Sequence, residues 1–301
     1  MSQSQAMTQF SIQPRQPRPA HPQRLLGLAC AALGVVMLFG QLQIHAAEPP
    51  SPTASPNGSV PSGPAQPAPP EIVAILRDLD AASSRQNLKA VLKFYSPNFT
   101  HADGLTYSTL QQAVTTFWKD TKNLQYSTKI DSWQAQGNGY ILETTTTIQG
   151  IQTAADRDMK LSATVKAKTK IVNKQLVSQE ILREQTRLSF GEKSPDVDVN
   201  LPDQVNVGQT FNFDVIVKNP IGEDLLLGAA VKEPITPEQY LKRTPIALEP
   251  LAAGGLFKIG QAPQQPSREW VSAVLIQQGG ITIVSQRLNV VRPIESTASP
   301  R

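Results

Sequence analysis

Between residues 71 and 123 the apolar positions recur at helical spacing. Ile72, Ile75, Leu76 and Leu79 fall on one face and predict a helix that begins after Pro69-Pro70. Asn87 is placed to cap a second helix with Leu88, Val91, Leu92 and Tyr95 as its stripe, stopped by Ser96-Pro97. Ser108 with Gln111 reads as the capping box of a third, whose buried face is Leu110, Ala113, Val114 and Phe117. After Asn123 the period changes to two. Residues 140–148 are rich in β-branched side chains. Over 160–171, Leu161, Ala163, Val165, Ala167, Thr169 and Ile171 alternate with a row of lysines. Asn173-Lys174 predicts a turn, and 176–190 another long strand. Glu180 and Glu184 share parity with Leu176, Leu182 and Leu188, which would point them inward.

The pattern is different again beyond Ser194-Pro195. Phe211, Phe213, Val215 and Val217 mark a half-buried strand, with further strands at 225–231, 256–259, 269–277 and 281–291. Gly279-Gly280 signals a hairpin between the last two. Val271/Ala273/Leu275 and Val274/Ile276 place apolar residues on both faces of one strand, so one outer face is expected to be covered by the preceding unit.

At the N-terminus, the uncharged run 25–39 follows Arg15, Arg18 and Arg24 and precedes Ala46-Ala47. This is the order of a signal peptide, and residues 25–44 are also long enough for an uncleaved anchor. Either reading puts the remainder on the periplasmic or extracytoplasmic side of a membrane. Residues 48–70 hold nine prolines and little apolar bulk, so they read as an extended tether. The resulting division is 1–47 export segment, 48–70 linker, 71–191 first domain, 192–294 second domain and 295–301 tail.

Charge and chemistry narrow the classes. The formal net charge is +4, but without residues 1–47 it is 25 − 24 = +1, which leaves no electrostatic footprint for nucleic acid. Cys30 is the single cysteine and lies in the apolar run, so no disulfide or cysteine metal site is expected downstream. The three histidines, 21, 45 and 101, are far apart, and no metal or cofactor is expected. An acid–base enzyme would need a carboxylate in an apolar shell and a facing proton donor. The candidate bases are Asp103, Glu143, Glu180 and Glu184; the candidate donors are Tyr95, Tyr107 and Tyr140.

The helix-then-strand order, with the stretch Leu92 to Trp118, resembles the NTF2-like superfamily, the cone of SnoaL-like and ketosteroid-isomerase-like proteins. The resemblance implies an α+β fold: helices packed on a curved antiparallel sheet around a small-ligand cone. Val207-Gly208-Gln209-Thr210-Phe211 with Val217-Lys218-Asn219-Pro220 resembles bacterial immunoglobulin-like and CARDB-like modules, which implies an all-β sandwich for 192–294. On this reading Tyr95, His101, Asp103, Tyr107, Trp118 and Glu180 line the cone or its mouth, and no catalytic residue is assigned. The function expected is a non-catalytic binding module tethered in the envelope, with a small apolar ligand, an envelope protein or a second copy as partner. The alternative is an isomerase or dehydratase with a buried carboxylate base.

Overall fold

The computed structural model describes residues 67–154, 156–218, 225–241, 246–251 and 254–293. The segment expected to direct export, most of the Pro-rich stretch expected to be a linker, and the tail lie outside them. Among the described residues no helix is long and apolar enough to cross a membrane.

Three helices open the described chain: α1 (Pro70–Ser84), α2 (Leu88–Leu92) and α3 (Tyr107–Lys119), with β1 (Tyr95–His101) before α3. Asn87 caps α2 by accepting from the Ala90 N–H. The capping box of α3 is Thr106 with Thr109, two residues earlier than the Ser108–Gln111 pair that the sequence suggests. Thr106 wins because its extended backbone (φ −98°, ψ 174°) lets its hydroxyl accept from the Thr109 N–H.

Four strands of equal length follow: β2 (Thr121–Gln136), β3 (Gly139–Ala154), β4 (Arg157–Val172) and β5 (Gln175–Phe190). Asn173 and Lys174 both take positive φ, 49° and 64°, and join β4 to β5 by a two-residue turn. The C-terminal strands are β6 (Val197–Asn200), β7 (Gln204–Asn206), β8 (Thr210–Val217), β9 (Leu227–Pro234), β10 (Glu249–Pro250), β11 (Gly255–Gln261), β12 (Ser267–Gln277) and β13 (Gly280–Val291).

The strand pairing corrects the expected fold class. Helices on a curved sheet followed by a separate sandwich is not what forms. The protein is mostly antiparallel β, with one ten-stranded sheet ordered β10-β9-β12-β13-β5-β4-β3-β2; β1 adds beside β5 and β7 beside β13. β13 pairs with β5 from Ile281↔Phe190 to Gln286↔Gln185, so the sheet runs without interruption from the N-terminal strands into the C-terminal ones. Among the described residues, β11-β8-β6 form a second sheet. The physical reason is the free edge of β5. Its unpaired N–H and C=O groups are a template for another strand. The long apolar hairpin β12–β13 supplies one.

The core follows this topology. One apolar cluster joins Ala113 and Phe117 of α3 to Leu161, Ala163 and Leu188 of the sheet, and also to Ile235, Trp270, Val274, Ile281 and Ile283. A second packs Phe211, Phe213, Val215 and Leu256 against Val271, Ala273, Leu275, Leu288 and Val290. Strand β12 is therefore buried on both faces, Trp270 and Val274 toward the first cluster and Val271, Ala273 and Leu275 toward the second.

This arrangement yields a prediction. Residues 67–191 expressed alone should not give a cooperatively folded monomer, because the β5 edge and the Leu188 side of the core would be left uncovered. A sharp, reversible thermal transition of the isolated fragment, at a temperature close to that of the intact chain, would contradict it.

Candidate functional site

The site is built at a gap in the sheet. The edge of β5 is shared by two partners. β1 runs parallel to it and pairs as far as His101↔Gln179, and β13 pairs from Gln185 onward. Between them β5 carries a bulge at Leu182, since Lys166 pairs with Arg183 and Ala167 with Ile181. Asn289 Nδ2 closes part of the gap by donating to the Leu182 carbonyl at 3.0 Å. The turn after β1 fills the rest. Ala102 N–H donates to the Gln179 carbonyl at 2.9 Å, and His101 N–H to that of Leu105 at 3.0 Å. Gly104 takes φ +86° there, and a Cβ would meet Pro237 Cγ at 3.2 Å, so a side chain at this position is both strained and crowded.

This turn delivers Asp103 into the interior, where its side chain is fully buried. Arg287 of β13, 0% exposed, meets it fork to fork: Nη1 donates to Oδ1 at 3.0 Å and Nη2 to Oδ2 at 2.8 Å. Tyr240, in the short turn Gln239–Leu241, donates its hydroxyl to Oδ2 at 2.6 Å. Glu184 accepts on Oε2 from Trp270 Nε1 at 3.1 Å and from Arg287 Nη2 at 3.3 Å. Arg268 approaches from the surface, its Nε 3.6 Å from Asp103 Oδ1 and its Nη1 donating to the Ala102 carbonyl at 3.1 Å. Tyr240 stacks edge-on against Trp270, ring centroids 5.0 Å apart.

Burial and pairing set the protonation states. Burial works to raise Asp103, but the Arg287 hydrogen bonds and charge outweigh it and hold the carboxyl below its ordinary value. Burial pushes Glu184 up to about 7 even with Arg287 beside it, because the guanidinium is already engaged by Asp103. His101 is held down at about 4, first by burial and further by the two arginines, against the pull of Asp103. Its Nδ1 accepts the Asp103 N–H at 3.1 Å, which puts the proton of the neutral ring on Nε2. Burial and the neighbouring Asp103 keep the Tyr240 hydroxyl protonated.

The sequence-predicted residues distribute unevenly. His101 and Asp103 enter the network together with the candidate base Glu184. Glu180 does not. The bulges at Val177 and Leu182 each shift the alternation by one residue, so Glu180 pairs across from Lys168 on the opposite face and reaches Arg268 at 3.5 Å. Tyr95 packs edge-on against Phe99 at 5.0 Å, in a separate apolar cluster with Tyr107, and burial raises its hydroxyl to about 12. Tyr107 also borders a surface groove of 410 Å³ with Leu88, Leu92 and Gln111. Trp118 packs against the main core and donates to Tyr126 Oη at 3.4 Å. Of the remaining candidates, Glu143 pairs with Lys166 at 3.2 Å, and Tyr140 donates its hydroxyl to Glu71. Sequence reasoning missed Tyr240, Arg268, Trp270 and Arg287. One signal was available: Arg287 shares the alternation of Ile281 and Ile283, a cation where the pattern calls for an apolar residue.

Two predictions follow from this chemistry. Arg287→Met should destabilise the protein by about 3–5 kcal/mol in denaturant unfolding, since it strands Asp103 as an unpaired buried charge. Arg287→Met combined with Asp103→Asn should recover a substantial part of the loss; no recovery would show that the pair is not coupled. The second concerns pH. Glu184 goes from 4.5 unfolded to about 7 folded, so the native state binds the extra proton and stability falls as pH rises across that interval. His101 goes from 6.5 unfolded to about 4 folded, so its contribution rises with pH between those values. The slopes oppose each other. Glu184→Gln should expose a rise between pH 4.5 and 6.5, and His101→Gln a fall, each approaching about 1.4 kcal/mol per pH unit. Equal slopes in the two variants would refute the assignment.

A family described as a domain of unknown function, DUF8623, matches residues 192–291. No curated protein matches the chain. Among solved structures, it is similar to a protein of unknown function with a cystatin-like fold from Nostoc punctiforme, at 13% identity and TM-score 0.28, covering 37% of this chain and 86% of that one. It is also similar to a ketosteroid-isomerase-like protein from Catenulispora acidiphila, crystallised with trimethylamine, at 13% identity and TM-score 0.27, covering 36% and 82%. An NTF2-like protein of unknown function from Cytophaga hutchinsonii matches at 13% identity and TM-score 0.21, covering 36% and 84%. These neighbours have NTF2-like, cystatin-like and ketosteroid-isomerase-like folds, and at such scores they carry nothing about activity.

Proposed function

We propose that the protein is a non-catalytic binding and assembly module, exported and held at the membrane by its N-terminal segment, with both parts of the described chain acting as one rigid body. The observation that carries this reading is the state of the interior carboxylates. An acid–base catalyst needs a carboxylate that substrate can reach. Asp103 is closed off by a bidentate guanidinium and a tyrosine hydroxyl, and Glu184 by Arg287 and Trp270. Ile235, Tyr240 and Trp270 pack in one apolar cluster with Ala113 and Phe117 of α3 and with Leu161, Ala163 and Leu188 of the sheet. Three surface grooves among the described residues are lined by other residues and include neither Asp103, Glu184 nor Tyr240. The tether reading rests on the apolar run 25–39 and the prolines of 48–70.

A second reading keeps one observation in its favour. Glu184, raised to about 7 in an apolar shell beside Trp270, has the poise of a general base. On that reading the protein is an isomerase or dehydratase acting on a small apolar substrate. The two readings separate in one assay. The intact protein is offered small enolisable carbonyl compounds, and proton exchange at the α-carbon is followed by NMR. The module reading expects no exchange above background, and the same background for Glu184→Gln. Exchange that drops by about 10²-fold or more in a folded Glu184→Gln protein would establish the enzyme instead.

A further inference from the structure

On the sheet face opposite the helices, β1 bows away from β5. Tyr95 pairs with Leu176 and Thr100 with Ser178, so five steps on β1 face two on β5, which carries its own bulge at Val177. Paired irregularities of this kind re-aim side chains and open the sheet edge. They leave a groove of 340 Å³ whose lining includes Thr100, Ile141, Lys168, Lys170, Ser178 and Glu180.

The register puts these residues in two rungs. One runs Ile141, Lys170, Ser178, Thr100, and the other Glu143, Lys168, Glu180. Lys168 and Lys170 stand two residues apart on one strand face, about 6.5–7 Å. Neither makes an ion pair among the described residues, because the neighbouring carboxylates are drawn elsewhere. Glu143 binds Lys166 at 3.2 Å and Glu180 leans to Arg268 at 3.5 Å. Two ammonium groups with no carboxylate partner therefore share a concave space with two hydroxyl groups, a small apolar wall and one acceptor.

From this we infer that the groove is a binding site for a compact oxyanion, a carboxylate or phosphate monoester, carried on a hydroxylated body no larger than a hexose. The ammonium groups take the anion and the Ser178 hydroxyl donates to it. Ile141 takes the less polar ring face, and Glu180 accepts from a ligand hydroxyl. The volume lies at the lower end of the range for small-molecule sites, which limits the ligand to this size. The inference concerns the outer face and does not depend on the state of Asp103 or Glu184.

The test is calorimetric titration of the intact protein with inorganic phosphate, glucose 6-phosphate, glucuronate and glucose at low ionic strength. At least one anionic probe should bind, and glucose should bind at least about tenfold more weakly than the anion of the same ring size. Preference for glucose 6-phosphate over glucuronate would assign a phosphoryl ligand, and the reverse a carboxylate. Lys168→Gln with Lys170→Gln should weaken the anion about tenfold or more without lowering Tm. Glu180→Gln should strengthen inorganic phosphate binding roughly threefold by removing a like charge. Anion affinity unchanged in the double lysine variant, glucose binding as well as the anions, or no binding by any probe would each overturn the site.

Discussion

One guanidinium holds the two parts of the chain together. Arg287 is the one charged residue of β13, and it is fully buried. Left alone there it would carry a desolvation penalty of several kcal/mol. The penalty is offset only if a carboxylate arrives in register and presents both oxygens. Asp103 does so, but only when β1, the turn at Gly104 and helix α3 are all in place. Pairing of β13 with β5 and closure of the turn after β1 therefore depend on each other. A buried ion pair is weak evidence for net stability and better evidence for specificity. Here it fixes where β13 stops pairing with β5, since a one-residue slip would carry Arg287 to the other face.

The same position defines a line across the sheet. Thr128 pairs with Thr146, Thr146 with Val165, and Val165 with Glu184. Arg287 lies beside Glu184, one residue past the last paired position, and pairs with Trp270, which pairs with Glu233. Seven strands thus contribute to one row in which five side chains are polar. At the outer end, Asp80 of α1 accepts from Thr128 at both N and Oγ1, 2.7 Å each, and Ser84 accepts from the Tyr126 N–H at 2.9 Å. Those bonds satisfy edge donors of β2 that would otherwise invite another strand. The helix thus protects the β2 edge of the sheet, while β13 pairs along the edge that β5 would otherwise leave free.

Local elements could be read from the sequence where a single period dominates. The β4 strand alternates as Leu161, Ala163, Val165 and Ala167 suggest, and Asn87 caps α2 because a short carbonyl side chain is what a helix start needs. The path of β5 could not be read. Leu176, Leu182 and Leu188 share parity, yet Val177 and Leu182 are extra residues in the ladder, so the strand changes face twice. Bulges leave no composition signal when the inserted residue is itself apolar. Nor could the fold class be read, because Gly191 to Pro195 looks like a boundary between domains. Turn chemistry reports that the chain changes direction, and says nothing about which free edge the next hairpin will find.

The site was half legible for the same reason. His101 and Asp103 stood out as a polar pair before a helix, but their partners lie more than 130 residues downstream, as the Tyr240–Asp103 contact shows. A stronger inference was available from Arg287 alone. A cation on the parity of Ile281 and Ile283 must either reach solvent or meet an anion, and Trp270 and Val274 on the adjacent strand close the way to solvent. Burial of one charge then requires a carboxylate of equal burial from elsewhere in the chain. Asp103, in a turn tight enough to need Gly104, meets that demand. Glu184, the second carboxylate at a guanidinium already engaged, is instead pushed up to about 7 by burial.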